Sequence, residues 1–90
     1  MTKADVVAEI AQRTGLHKYD IMTAVEEFMD VVRKHMTEGE NIYLRGFGTF
    51  EIIERREKTA RNITQGTTVI VPAHKIPHFK PAKEFKDSLK

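Results

Sequence analysis

Between Arg55 and Lys83 the chain carries seven basic side chains, Arg55, Arg56, Lys58, Arg61, Lys75, Lys80 and Lys83, against one acid, Glu57. Guanidinium and ammonium groups at that density, without matching carboxylates, attract an extended anion. The formal net charge of +2 conceals this asymmetry. Residues 1–40 hold five Lys/Arg and eight Asp/Glu, and residues 41–90 hold ten and five, so the two parts carry −3 and +5. A basic half on a near-neutral chain implies an anionic partner meeting one side of the fold.

Other chemistry finds little support. His74 and His78 stand four apart, like a zinc pair, but Pro77 between them denies a regular helix and no third ligand is evident. They read as structural or solvent-exposed histidines. Ser88 is the only serine, and no nucleophile with a partnering base can be assembled. The chain lacks cysteine, which excludes disulfides and thiolate metal sites and fits a reducing compartment. Neither an enzymatic activity nor a cofactor or metal is expected. Phe47, Phe50 and Phe79 have two readings, as stacking platforms for single-stranded RNA or as core, and their places beside a glycine turn and before a helix favour core.

The elements that carry these residues follow from pattern. Thr2-x-x-Asp5 reads as a capping box, Val6, Val7, Ile10 and Ala11 follow at helical spacing, and Gly15 ends the helix. A second helix spans about Lys18 to Thr37, with a stripe of Ile21, Ala24, Val25, Phe28, Val31, Val32, His35 and Met36. The period then changes. Residues 41–44 form a short strand, Gly46-Phe47-Gly48 a turn, Thr49 to about Glu57 a strand, and Thr67 to Val71 a return strand ending before Pro72. Lys80-Pro81-Ala82-Lys83 opens a final short helix, with Pro81 suited to its first position. The expectation is a single α+β domain over residues 1–90, with a helical base over 1–40, a sheet over 41–80 and a closing helix over 81–90.

The hairpin from Lys58 to Thr68 is distinctive because only Ala60 and Ile63 in it are apolar. Such a segment cannot join a hydrophobic core and should project as an arm spanning about residues 54–71. At about 3.3 Å per residue, the roughly nine residues from Glu54 to Ile63 reach about 30 Å. That exceeds the roughly 12 Å width of a DNA major groove, so the arm is long enough to follow a duplex around its side. A body shortened by this arm leaves the helix stripe without a second layer, and dimerisation would supply one.

No apolar run approaches the roughly 20 residues that span a bilayer, and the N-terminus lacks the basic and apolar stretches of a signal peptide. Cytoplasm is therefore the expected compartment, with no membrane partner.

Three spaced segments resemble the HU / integration host factor family. Leu44-Arg45-Gly46-Phe47-Gly48-Thr49-Phe50-Glu51 is similar to its Gly-Phe-Gly-x-Phe turn. Arg61-Asn62 with Gly66 is similar to its arm-tip motif, and Ile76-Pro77-His78-Phe79-Lys80-Pro81-Ala82-Lys83 to its closing signature. The resemblance covers essentially the whole chain. It implies an intertwined dimer with a helical base, a three-stranded antiparallel sheet from each chain forming a saddle, and two β-ribbon arms entering the minor groove of double-stranded DNA.

Position by position, the resemblance makes Arg61 the minor-groove arginine beside Asn62 at the arm tip, with Arg55, Arg56 and Lys58 lining the arm. Lys80, Lys83 and Lys86 become the saddle's phosphate clamp, and Lys75, from the basic stretch, is a further candidate DNA contact. Lys3 sits near the first helix N-terminus, and Arg45 reaches the groove from the saddle. Two positions depart from the family pattern. Ile63 replaces the tip proline that inserts between base pairs, and isoleucine is itself a side chain used to part base steps. His17 stands where the long helix usually takes Ser or Thr as its cap.

The implied function is a nucleoid-associated, histone-like protein that bends and compacts DNA with little sequence specificity. Its dimer would be a homodimer or a heterodimer with a related chain. A site-specific bending subunit of the integration-host-factor type and an RNA-binding module using the same arm are the alternatives.

Overall fold

The first helix begins where the sequence places its cap. The Thr2 backbone N–H donates to Asp5 Oδ2 at 2.9 Å, and the Asp5 N–H donates to Thr2 Oγ1 at 3.3 Å. The Thr2 N–H, and after it the Thr2 hydroxyl, hold the Asp5 carboxyl below its ordinary range by stabilising the carboxylate. The computed structural model describes residues 1–62 and 67–90, with residues 60–62, 67 and 69 described by their backbone alone. They fall into two compact units, Met1–His35 and Met36–Lys90.

The first unit contains α1 (Lys3–Thr14) and most of α2 (Lys18–Thr37). Gly15 ends α1 at φ 78°, its N–H donating to Ala11 O at 2.8 Å. The two residues that follow lead to an unusual start for α2. His17 Nδ1 accepts the Tyr19 N–H at 3.2 Å, so the imidazole does what a Ser or Thr hydroxyl does at a helix start. Val7 and Ile21, at 3% and 5% exposure, are the only buried apolar side chains among the described residues. Much of the α2 stripe is uncovered. Phe28 and Val31 are 43% and 50% exposed, and Ile10, Leu16, Ile21, Ala24, Val25 and Phe28 line an apolar groove of about 340 Å³. No helix of the described residues is long and apolar enough to cross a membrane.

The second unit is built on an antiparallel sheet of β1 (Ile42–Leu44), β2 (Gly48–Arg55) and β5 (His74–Pro81), with β2 in the centre. A separate two-stranded ribbon pairs β3 (Lys58–Asn62) with β4 (Thr67–Val71), from Lys58 opposite Val71 to Asn62 opposite Thr67. The expected arm thus meets the sheet at residues 56–57 on one side and 72–73 on the other.

The third strand of the sheet lies within the expected sheet region but beyond the strands that the residue pattern delineates, in a segment interrupted by Pro77 and Pro81. Both prolines are tolerated because β5 is an edge strand. Pro77 stands opposite Ile52, whose N–H points the other way, to Asn41 Oδ1 at 3.1 Å. The missing proline N–H therefore costs the ladder nothing. A second correction concerns Pro81, which is the last residue of β5 rather than the first of a helix. Ala82 is the N-cap, in extended conformation, and α3 spans Lys83–Asp87.

Strand alternation divides the sheet into two faces. Phe50 opposite Phe79 lies on one, and these rings pack with Phe47 and Phe85 at centroid separations of 5.0–6.2 Å. The three phenylalanines singled out in the sequence thus form one cluster with a fourth. On the other face Tyr43, Thr49, Glu51, Ile53 and Arg55 alternate along β1 and β2 with Lys80, His78, Ile76 and His74 opposite them.

Candidate nucleic-acid interface

The Gly46-Phe47-Gly48 turn brings distant cations together. The Phe47 N–H donates to Leu44 O at 3.0 Å, closing a four-residue turn whose third residue, Gly46, has φ 80°. That is a type II arrangement, which disfavours a side chain at this position. Gly48 then passes against β5 so closely that a Cβ would lie 2.6 Å from Phe79 Cζ and 2.7 Å from Lys80 O. The Ala82 N–H donates to Phe47 O at 2.9 Å, tying the turn to the entry of α3.

These contacts leave an open depression of about 460 Å³ beside the turn, lined among others by Tyr43, Arg45, Thr49, Lys80 and Lys83. Its lining brings Arg45 together with Lys80 and Lys83 from the other end of the sheet region. All three side chains are exposed, as phosphate-contacting groups must be. Arg55 continues the same polar face at the end of β2 that leads to the ribbon, where Arg56 and Lys58 follow, also exposed. Lys86 is exposed on α3.

Not every residue expected at an interface joins this grouping. Lys75 stands opposite Glu54 on the same face as Phe50 and Phe79, away from Lys80 and Arg55. Lys3 belongs to the helical unit, where its Nζ lies 2.9 Å from Glu26 Oε1. A DNA phosphate would have to compete with that carboxylate. Arg61 and Asn62 are placed on β3 by their backbone alone, and Ile63 lies outside the described residues, as does Gly66.

One pair on the polar face had no place in the sequence reading. His78 Nδ1 lies 3.1 Å from Glu51 Oε1 across the β2–β5 register, with their side chains 45% and 27% exposed. The only sequence signal for it is the alternation Ile76-x-His78-x-Lys80, visible once this segment is known to be a strand. His74, expected with His78 to be structural or exposed, donates from Nδ1 to Pro72 O at 2.9 Å. Four residues of strand separate the two rings by about 13 Å, too far to share an ion.

The family model described as bacterial DNA-binding protein matches residues 1–90. The chain is 42% identical over 88 residues to the DNA-binding protein HU of Lactococcus lactis, covering 98% of this chain and 97% of that one. It is 37% identical over 90 residues to the DNA-binding protein HU of Geobacillus stearothermophilus, covering all of both. Among solved structures it resembles Anabaena HU in a cocrystal with DNA, with a TM-score of 0.91 and 25% identity over 99% of this chain and 97% of that one.

Proposed function

The chain belongs to the bacterial DNA-binding protein family, and from that premise we propose that it is a dimer that bends and compacts duplex DNA through the minor groove. It is an architectural DNA-binding protein and not an enzyme. The observation that carries the proposal is the depression ringed by Arg45, Lys80 and Lys83, on a face that Arg55 continues toward the ribbon.

Residues 1–90 act as one functional module. The helical part, residues 1–40, is the dimerisation base, and the open groove beside Ile21 and Phe28 is where a second copy packs. A homodimer suffices for this, and a related chain with the same stripe would serve equally. Sheet and arms then receive the DNA. Affinity arises as Lys and Arg displace counterions from the backbone, a term indifferent to sequence. Lys58, Arg55 and Arg56 follow the backbone along the arm, while Lys80, Lys83 and Lys86 capture the duplex where it curves in. Lys3 and Lys75 add outer contacts.

Selectivity comes from shape. Arg61, with Asn62, enters the minor groove, where narrowness strengthens its attraction. Ile63 parts a base step in the role of a wedge, at an unstacking cost of a few kcal/mol that burial of the side chain, worth about 1.5–3 kcal/mol, largely offsets. The setting is the nucleoid, in the cytoplasm.

The test is a titration of the intact protein against linear duplex DNA, nicked duplex DNA and duplex RNA of matched length, each at two salt concentrations. Both DNAs should bind, the nicked one more tightly because it bends more readily, and the log-affinity slope should steepen by about 0.9 for each phosphate contacted. RNA bound as tightly as DNA would overturn the proposal.

A further inference from the structure

The polar face of the sheet carries a carboxylate where DNA is proposed to lie. Glu51 is central on β2, between Thr49 and Ile53, and its cross-strand partner is His78. The other titratable or charged groups on this face are Arg55 on β2, Tyr43 on β1, and His74 and Lys80 on β5, with Arg45 of the turn and Lys83 of α3 beside Lys80 at its end. Among the described residues β2 pairs only with β1 and β5, and β5 is an edge of the sheet.

A carboxylate can only accept a hydrogen bond, so the contact at 3.1 Å makes His78 Nδ1 the donor. In a neutral imidazole whose Nδ1 carries the proton, Nε2 presents a lone pair. Phosphate oxygens also present lone pairs, and the neutral pair would offer DNA an acceptor beside a net negative charge. With a second proton on Nε2, the ring becomes a donor to phosphate, and the Glu51–His78 pair becomes electrically neutral.

We infer that His78, braced by Glu51, is a DNA-backbone contact that takes up a proton from solvent as phosphate arrives, so that duplex affinity falls as pH rises through the neutral range. This rests on the proposal that the same sheet face receives DNA. The sign follows from linkage. Because the bound state holds more protons than the free state, raising pH favours the free protein.

The experiment is an anisotropy titration of a random-sequence duplex, carrying a pH-insensitive dye, with the intact protein at pH 6, 7 and 8 and constant ionic strength. Affinity should fall on the order of fivefold from pH 6 to pH 8. His78→Gln should remove most of that dependence, binding like the parent at pH 8 and more weakly at pH 6. His74→Gln should retain the dependence. A second measurement needs no variant. The ring-proton NMR titration of His78 should move to higher pH when saturating duplex is added. Binding that is independent of pH, a dependence that survives in His78→Gln, or a ring titration unmoved by DNA overturns the inference and leaves the proposed function intact. Absence of duplex binding at every pH overturns both.

Discussion

Gly48 and Phe79 show how single residues set the shape of the proposed interface. The glycine lets β2 start flush against β5, and a methyl there would press on both an aromatic ring and the Lys80 carbonyl. Relief requires the Phe79 ring to shift, and that ring packs against Phe47, Phe50 and Phe85. Gly48→Ala should therefore destabilise the protein by about 1–3 kcal/mol, read as a lowered denaturant midpoint at unchanged m-value. A midpoint equal to the parent's would show that the cluster yields freely. Asp5 provides a residue-scale test with pH. Its folded carboxyl titrates below the ordinary range. Its stabilising contribution is therefore present above the unfolded value near pH 4 and disappears as pH falls through the lowered folded value. Asp5→Asn should melt below the parent at pH 6, with the gap narrowing toward pH 2. A gap constant across that range would mean that the carboxylate's charge is immaterial to the cap.

Among the elements, legibility tracked how local the signal was. Helix α1 was readable to its ends because its cap is an exchange between residues three apart, Thr2 and Asp5, and its terminus a single glycine. The limits of α2 followed from a long stripe, although the capping role of His17 did not, since histidine is not a usual N-cap residue. Strand β5 was hidden because its prolines carry an anti-strand signal unless the edge position is known, and that position depends on pairing with β2, where the partners of Pro77 and Pro81 are Ile52 and Gly48, 25 and 33 residues earlier. The misplacement of Pro81 has the same origin. The ribbon was legible from polarity alone, and its pairing from Lys58–Val71 to Asn62–Thr67 agrees with the expected hairpin. Of the candidate site, the cations were readable as a charge bias. Their division between two faces was not, because Lys75 and Lys80 differ only in strand parity. The proposed entry of the ribbon into the minor groove gives an element-scale prediction. Arg61→Ala should weaken binding more on AT-rich than on GC-rich duplex, because the narrower groove strengthens the arginine's attraction. Equal losses on both would make Arg61 an ordinary phosphate contact.

At the scale of the whole molecule, the single chain leaves Phe28, Val31 and the groove beside Ile21 exposed, with only Val7 and Ile21 buried among the apolar side chains of the described residues. The proposed second copy would cover this surface and add to so small a core. Sedimentation at low micromolar concentration should give about twice the 10.4 kDa chain mass, and the melting temperature should rise with protein concentration. A folded monomer whose melt ignores concentration would contradict the dimer.

The central claim is that this molecule bends the DNA it binds, and fluorescence energy transfer between dyes at the two ends of a short duplex tests it most directly. Saturating intact protein should raise the transfer, as the ends approach when the duplex curves toward Lys80 and Lys83. Ile63→Ala should raise it less, with the salt dependence of binding nearly unchanged, since a wedge contributes curvature and not charge. A saturated complex whose transfer equals that of free duplex would contradict the account, leaving a protein that binds DNA without shaping it.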